Sequence, residues 1–221
     1  MIEAKGITKS YGSKEVLKGI NLQVSKGEIV SIVGRSGVGK STLLHVLSTL
    51  DVADYGEVWM NGQDINRLRG NKLARFRNEH IGFVFQFHNL LPEFNILENV
   101  CLPAFLSKKS RNDVEQRALE LLSILGISEI APKTPAQVSG GERQRAAIAR
   151  ALINAPTVVF ADEPSGNLDT ENSQELHKLF LKLRNEFEQT FVVVTHDENL
   201  AELADRKIVM VDGVIEPTPP A

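Results

Sequence analysis

The chain has 221 residues, a length that suits one domain with a sizeable hydrophobic core. Hydrophobic residues make up 42% and charged residues 24%, as in ordinary globular proteins, and the net charge of −3 gives no broad basic field for nucleic acid. The single cysteine excludes an internal disulfide framework. The sequence has neither a signal segment nor an apolar run of about 18 residues, so we expect any membrane role to need a separate membrane partner.

The first 60 residues alternate short apolar runs with glycines, a pattern that predicts an antiparallel sheet. Tyr11 follows the first predicted strand. Packing is the more common use of a tyrosine there, and stacking on a flat ring is the alternative. Residues 28–34, EIVSIVG, form an apolar β-branched run that is typical of a buried strand.

The segment GRSGVGKST, residues 34–42, fills the pattern G-x-x-x-x-G-K-[ST] between that strand and a predicted helix. Its glycines free the backbone to turn N–H groups toward phosphate oxygens, and the helix start adds the positive end of its dipole. We expect Lys40 to bind the β- and γ-phosphates of ATP, Ser41 to ligate Mg²⁺ and Thr42 to lie near the α-phosphate. The predicted cradle consists of Gly34, Arg35, Ser36, Gly37, Val38, Gly39, Lys40, Ser41 and Thr42.

The next predicted strand, IGFVFQ, ends at Gln86, whose amide is a candidate to touch Mg²⁺ or the attacking water. The stretch QFHNLLPEF at residues 86–94 has two interpretations, apolar packing under a helical region or a contact surface for a partner. From about residue 87 to 155 the pattern is helical, and Ser110 with Asp113 predicts the capped start of a helix over residues 110–127.

A second glycine-rich motif, VSGGERQR at residues 138–145, opens the last helix of this region. It places Ser139, Gly140, Gly141 and Glu142 at a helix N-terminus, where backbone N–H groups can bind a phosphate. We expect these residues to reach the nucleotide of a second copy and not that of their own chain. The two motifs together predict two half-sites that a face-to-face homodimer completes.

The last third alternates strands and helices, with strands predicted at 158–162, 191–195 and 207–211 and a helix at 171–186. Asp162 and Glu163 end one strand, and ligands bind at the carboxyl edge of such sheets. Successive strand residues point to opposite sides. We therefore expect Asp162 to reach Mg²⁺, directly or through water, and Glu163 to deprotonate the attacking water.

His196 ends the following strand and is a candidate to bridge the γ-phosphate and the water. The other four histidines, among them His177 on a predicted amphipathic helix, look ordinary and lack metal-ligand spacing. The proline-rich end, residues 216–221, is expected to be frayed.

Seven features in family order make the chain resemble the nucleotide-binding subunit of ABC transporters over nearly its whole length. They are Tyr11 as the aromatic that stacks on adenine, residues 34–42 as Walker A, Gln86 as the Q-loop, residues 139–142 as the signature, Asp162 with Glu163 as Walker B, residues 165–169 as the D-loop and His196 as the H-loop. The signature departs from the commonest spelling, LSGGQ, at Val138 and Glu142, and keeps Ser139, Gly140 and Gly141.

The resemblance implies an α/β fold, a P-loop NTPase core of the RecA-like kind with an N-terminal antiparallel β subdomain and an inserted α-helical subdomain. It implies one ABC ATPase domain over residues 1–221, with the core and β subdomain at 1–86 and 156–221 and the helical subdomain at 87–155. Catalytic roles would fall to Glu163, His196, Gln86 and Lys40. ATP and Mg²⁺ would be bound, ATP would drive homodimerisation, and transmembrane permease subunits would hold the chain at the cytoplasmic face of the inner membrane.

Residues 83–100 and 161–169 resemble more narrowly a subgroup that holds lipoprotein-releasing, macrolide- and peptide-exporting and cell-division ATPases. The QFHNLLPEF stretch is most similar to the lipoprotein-releasing members, which implies lipoprotein release toward the outer membrane. Macrolide or peptide export, or signalling without transport in the cell-division manner, are the alternatives. An ABC ATPase of DNA repair is a further alternative, although those chains usually insert coiled coils or zinc modules between Walker A and signature.

Overall fold

A computed structural model describes residues 1–107 and 109–216. In chain order the elements are β1 (Ile2–Tyr11), β2 (Lys14–Val24), β3 (Ile29–Val33), α1 (Lys40–Leu47), β4 (Tyr55–Met60), β5 (Gln63–Asp64), α2 (Gly70–His80), β6 (Ile81–Phe85), α3 (Ile96–Cys101), α4 (Arg111–Ile124), α5 (Gly140–Leu152), β7 (Val158–Asp162), α6 (Thr170–Phe187), β8 (Thr190–Val194), α7 (Glu198–Leu203), β9 (Arg206–Val211) and β10 (Val214–Ile215). Within the described ranges these strands make two sheets.

The smaller sheet has the order β2-β1-β4-β5 and is antiparallel, as the N-terminal pattern predicts. The larger has the order β10-β9-β3-β8-β7-β6, with β10 antiparallel and the rest parallel. The carboxyl ends of β3, β6, β7 and β8 therefore meet at one edge. Each of the predicted catalytic segments follows one of these four strands, so the topology brings them together.

The larger sheet is buried on both faces because its strands alternate between two hydrophobic clusters. On β8, Val192 and Val194 pack toward the smaller sheet and α1, whereas Phe191 and Val193 pack toward helices α3 to α7. Burial of both faces explains why these strands read as continuous apolar runs. Packing on both faces also makes the edge of the sheet that carries the site rigid.

The predicted α/β fold class is confirmed, and the strands and the helix of the last third lie within one residue of their predicted bounds. The helix capped by Ser110 begins as predicted, with the Ser110 hydroxyl accepting the Asp113 N–H at 3.2 Å. It ends at Ile124, short of the predicted residue 127, because Gly126 adopts a left-handed φ of 69°.

Helix α2 was not predicted, because its sequence is strongly polar and Phe76 is its buried residue. The expected fraying of the C-terminal end falls mostly on residues 217–221, outside the described residues. In the described part of the chain, every helix is too short or too polar to cross a membrane.

Candidate functional site

The loop between β3 and α1 has the backbone that the phosphate-binding pattern predicts. Gly34, Gly37 and Gly39 adopt φ values of 152°, 79° and 108°. A Cβ on Gly34 would lie 2.4 Å from the Met210 carbonyl oxygen, so a larger residue does not fit there. Within the described residues, no side chain caps α1, which leaves its first N–H groups free to bind an anion.

Lys40 and Ser41 reach from the start of α1 in different directions. The Lys40 ammonium donates to the carbonyl oxygens of Gly34 and Arg35 at 2.9 and 3.1 Å, and so lies across the loop. The Ser41 hydroxyl donates to Asp162 Oδ1 at 3.0 Å, which joins the loop to the end of β7. A hydroxyl oxygen beside a carboxylate is a hard oxygen donor set, so these two residues fit Mg²⁺.

Glu163 has already left the strand, so strand alternation alone does not separate it from Asp162. Its φ is 47°, a left-handed turn, and its N–H donates to the Val194 carbonyl at 2.9 Å. This turn places Oε2 of Glu163 2.6 Å from Nδ1 of His196, and Oε2 also accepts the His196 N–H at 3.1 Å. The structure therefore brings together the two residues predicted to handle the attacking water.

Gln86 lies against the D-loop. A Cβ on Gly166 would come within 2.9 Å of the Gln86 amide nitrogen, and the Asn167 amide donates to the Gln86 carbonyl at 2.9 Å. Among the described residues, the Gln86 side chain makes no hydrogen bond to Ser41 or Asp162, so its predicted contact with Mg²⁺ or water stays a prediction. A larger residue at position 166 would have to displace the Gln86 amide.

Tyr11 is half exposed, at 51%, and its hydroxyl donates to Asp51 Oδ2 at 2.5 Å. Lys9 donates to the other oxygen of Asp51 at 2.9 Å and lies 5.2 Å from the Tyr11 ring centroid. The hydrogen bond to Asp51 raises the pKa of Tyr11, so the phenol stays protonated and continues to donate. One edge of the ring is thus held and the exposed part is open to a flat ligand ring, while stacking on adenine stays a prediction.

The signature residues form a capping box at the start of α5. The Ser139 hydroxyl accepts the Glu142 N–H at 3.3 Å, and the Glu142 carboxylate accepts the Ser139 N–H at 2.7 Å. The bond from the Ser139 N–H lowers the pKa of Glu142. Glu142 is a departure from the commonest signature, and this geometry gives it a structural use.

The two signature glycines differ in their surroundings. A Cβ on Gly141 would lie 2.4 Å from the Asn172 amide oxygen at the start of α6, so a larger residue there would have to displace that side chain. A Cβ on Gly140 would have 3.8 Å of clearance from Leu168. The fold therefore tolerates a larger residue at 140, and the glycine there leaves room for a ligand to approach the backbone.

Residues 87–94, which we call the coupling segment, support both interpretations of QFHNLLPEF, because some of their apolar side chains pack against the core and others are exposed. Leu90 packs against the core, whereas Phe87 is 73% exposed and Leu91 and Phe94 are also exposed. The exposed apolar side chains are grouped directly after Gln86. They form a surface of the kind that binds a partner.

Two polar residues that sequence reasoning missed hold the coupling segment, the buried Asn99 and the half-buried Arg150. The Asn99 amide bonds both the N–H and the carbonyl of Leu91, at 2.7 and 3.0 Å. The Arg150 guanidinium donates to the carbonyls of His88 and Asn89, at 2.6 Å each. A polar residue on a helix is usually expected to be exposed to solvent, so the sequence spacing of these two residues does not predict their hydrogen bonds to the coupling segment.

His177 was expected to be ordinary, but the structure buries it beside the residue that follows His196. Its exposed fraction is 3%, and its Nε2 lies 3.2 Å from Asp197 Oδ2. The sequence offered one weak signal, a histidine on the apolar side of an amphipathic helix.

Comparison with known proteins agrees with this geometry. The family described as ABC transporter matches residues 17–166. The lipoprotein-releasing system ATP-binding protein LolD of Bacteroides fragilis is 56% identical, over 97% of this chain and 100% of that protein. The protein of the same name from Cytophaga hutchinsonii is also 56% identical, over 97% and 98%.

Among solved structures, a dimeric post-hydrolysis state of the ATP-binding cassette MJ0796 bound to ADP and Pi is similar, with a TM-score of 0.89 and 41% identity. The match covers 98% of this chain and 97% of that one. A second dimeric structure of MJ0796, described as a bacterial ABC transporter cassette, has the same TM-score at 42% identity. The chain belongs to the ABC transporter family, as one of its ATP-hydrolysing subunits.

Proposed function

We propose that the chain powers the release of lipoproteins from the inner membrane toward the outer membrane. It works as a peripheral subunit at the cytoplasmic face, where ATP closes a homodimer beneath separate permease subunits. Support for the cargo comes from relatives that are 56% identical over nearly the whole chain and bear the name of the lipoprotein-releasing system. The observation that carries the hydrolysis is the 2.6 Å contact between Glu163 and His196 beside the phosphate loop.

The chain is one ABC ATPase domain in two parts. Residues 1–86 and 156–221 make the nucleotide-binding core with its β subdomain, and residues 87–155 make a helical subdomain. The element order supports this division, since α3, α4 and α5 follow one another between β6 and β7. The signature motif then belongs to the helical part and Walker A to the core, so a movement between the parts changes their spacing.

Walker A binds the nucleotide through backbone N–H groups and Lys40. Lys40 already spans the loop, so its ammonium needs only to exchange carbonyl oxygens for phosphate oxygens. Tyr11, steadied by Asp51, stacks on the adenine ring. The loop is suited to an anion, because its glycines adopt the left-handed conformations that let backbone N–H groups converge on one.

Glu163 accepts a proton from the water that attacks the γ-phosphorus, and the bond from that phosphorus to the bridging oxygen of ADP breaks. His196 orients the Glu163 carboxylate and the water. Ser41, Asp162 and Gln86 are the residues that would hold Mg²⁺, which when bound neutralises charge on the phosphate oxygens. Lys40 stabilises the negative charge that develops on the transferred phosphoryl group.

A second copy completes each site with Ser139, Gly140 and Gly141. The N-terminus of α5 carries free N–H groups and the positive end of the helix dipole, so it binds a γ-phosphate held by the partner chain. ATP binds the closed dimer better than the open one and shifts the population toward it. Loss of phosphate removes this bridge and releases the two chains. The dimeric state of the MJ0796 cassette supports this arrangement.

The coupling segment passes the change at the γ-phosphate to the permease. It starts next to Gln86, and its exposed Phe87, Leu91 and Phe94 give an apolar docking surface. Arg150 fixes His88 and Asn89 to the end of α5, whose other end is the signature. A shift of α5 on dimer closure therefore moves the docking surface as well.

The rival functions find less support. Relatives between 44% and 56% identical share the lipoprotein-releasing name, which does not favour a macrolide exporter or a cell-division ATPase. A test of the cargo is to isolate the chain with its membrane partners from detergent-solubilised cells. Recovery with a permease that releases lipoproteins from proteoliposomes in the presence of ATP is expected. Recovery with a permease that transports nothing would support the signalling alternative and contradict lipoprotein release.

The hydrolysis is tested with Glu163→Gln, which keeps the shape of the side chain and removes the base. We expect ATP to bind with unchanged affinity, turnover to fall by about 100-fold or more, and ATP-dependent dimer to accumulate in size-exclusion chromatography. Glu171→Gln, an exposed acid on α6, is the matched control and should behave as wild type. Near-normal turnover in Glu163→Gln would remove Glu163 from the role of base.

A further inference from the structure

Asp197 joins three parts of the site at a single carboxylate. It directly follows His196, and its Oδ1 accepts the N–H groups of Asn199 and Leu200 at 2.9 and 3.3 Å, which caps α7. Its Oδ2 is 3.5 Å from the Ser165 hydroxyl of the D-loop and 3.2 Å from Nε2 of His177 on α6. Oδ1 is thus committed to the helix cap, while Oδ2 is shared between two other elements.

His177 is in an unusual position for a histidine. It is buried on α6, and within residues 1–107 and 109–216 its Nε2 has no well-directed hydrogen bond, although Asp197 Oδ2 is within ion-pair distance. Burial lowers the pKa of His177, partly offset by Asp197, so the ring is neutral and can donate one N–H. A buried donor without a partner costs free energy, so a small movement of Asp197 toward Nε2 is favourable.

We propose that His177 is a positioning residue for catalysis, which holds Asp197, and through it His196, in the orientation that pairs His196 with Glu163. This inference rests on the proposed function, since it gives His177 a part in the same hydrolysis. His177 does not touch the nucleotide site itself. It acts through Asp197, which contacts His177 and directly follows His196 in the chain.

The D-loop gives this contact a further consequence. Ser165 and His177 approach the same oxygen of Asp197, and neither contact is at ideal hydrogen-bond geometry. If Ser165 moved away from Oδ2, that oxygen would be left to His177. A directed bond from His177 would then hold Asp197 without the D-loop.

The test compares two substitutions of His177. Methionine has similar volume without a donor, and glutamine keeps an N–H donor. We expect His177→Met to lower kcat for ATP about 5-fold to 10-fold with KM within about 2-fold of wild type, because the nucleotide contacts are untouched. His177→Gln should recover most of the lost rate. His80→Met is the matched control, since His80 bonds Thr157 at 3.1 Å where β7 begins, and it should keep the wild-type kcat.

Thermal unfolding separates this role from a merely structural one. Loss of a poorly satisfied buried polar atom leaves the Tm of His177→Met unchanged or raised, so a slower kcat at equal Tm supports positioning. An unchanged kcat in His177→Met overturns the inference. So does a loss of both kcat and Tm that is as large in His177→Gln as in His177→Met. Should the methionine variant fail to fold, His177→Leu, which also lacks a donor, and Asp197→Asn in one double-mutant cycle replace it. Losses in kcat that fully multiply would then overturn the inference.

The failure of the proposed function is distinguishable from the failure of this inference. If the wild-type chain does not hydrolyse ATP, the proposed function is wrong and the inference falls with it. If the wild-type chain hydrolyses ATP, Glu163→Gln does not, and His177→Met equals wild type, then only the role of His177 is wrong.

Discussion

Glu163 holds a conformation that a residue with a side chain normally avoids. A left-handed φ of 47° costs such a residue about 1 kcal/mol or more. The surrounding hydrogen bonds stabilise the turn, since the Glu163 N–H donates to Val194 and its carbonyl accepts from Gly166 at 3.0 Å. Local strain therefore aims the carboxylate at His196, and replacement by glycine would relax the turn at the expense of the base.

Lys40 provides a direct test of the phosphate loop. Lys40→Ala removes the charge that we propose binds the phosphates, and we expect ATP affinity to fall about 10-fold to 100-fold, or about 1.4 to 2.8 kcal/mol. Isothermal titration calorimetry measures the change. Lys14→Ala, an exposed lysine at the start of β2, is the control and should bind ATP as wild type does. An unchanged affinity in Lys40→Ala would refute the assignment of the loop.

The buried histidine makes a prediction about pH. Burial holds the folded-state pKa of His177 below its unfolded value of about 6.5, so below that pH the unfolded chain binds more protons. Stability from this residue is intact above about pH 6.5 and is lost as the pH falls toward the folded pKa. In urea denaturation from pH 7 to 5.5, His177→Met should lose less free energy of unfolding than wild type. Parallel losses would contradict the burial argument.

At the scale of elements, α4 and α5 begin with the same kind of cap and serve different purposes. Ser110 caps α4 through the Asp113 N–H, and Ser139 caps α5 through the Glu142 N–H. The glycine pair after Ser139 leaves the backbone accessible, whereas Arg111 and Asn112 follow Ser110. The same type of cap is thus a candidate phosphate site only at α5, where small residues follow it.

This pair of caps separates stability from function. Ser139→Ala and Ser110→Ala should each lower the free energy of unfolding by about 1 kcal/mol, because each removes one cap hydrogen bond. Only Ser139→Ala should also lower the ATPase rate, because the proposed composite site uses that hydroxyl and not the one of Ser110. Chemical denaturation and steady-state ATPase assays measure the two effects. Equal ATPase rates in the two variants would remove Ser139 from the composite site.

At the scale of the whole molecule, the composite site predicts rescue between two inactive variants. Lys40→Ala removes the lysine of Walker A. Gly140→Ala adds a methyl group to the signature that the fold accepts, because the nearest side chain, Leu168, is 3.8 Å away, but that would obstruct a nucleotide held by the partner chain. A mixed dimer has one site that carries both changes and one intact site. An equal mixture of the two chains should therefore recover about a quarter of the wild-type ATPase rate, because half of the dimers are mixed and half of their sites are intact.

The mixing experiment also has an opposite outcome with a clear meaning. If each chain hydrolyses ATP alone, the mixture stays at the average of the two separate rates. Gly140→Ala should in that case be fully active, because its own phosphate loop is unchanged. Circular dichroism checks that both variants are folded before they are mixed.

Most of the fold and the motif residues could be predicted because their signals are local. The apolar run before Gly34 predicts a strand buried on both faces, and the Ser110 cap predicts the start of α4. The polar α2 was missed because a helix with one buried residue has little periodicity. Asn99 was missed because a buried polar side chain looks like a solvated one until its neighbours are known.

The sequence by itself determined the chemistry of each segment: a phosphate loop, an acidic strand end, a glycine-rich helix start. Each depends on contiguous residues whose backbone freedom and charge are readable in order. Only the tertiary structure decided how they combine. The strand order β3-β8-β7-β6 brings segments distant in sequence to one edge of the sheet. The left-handed turn at Glu163 places its carboxylate against His196, and only the structure shows that His177 is buried. Strand order and burial depend on packing of the entire sheet, which no local pattern specifies.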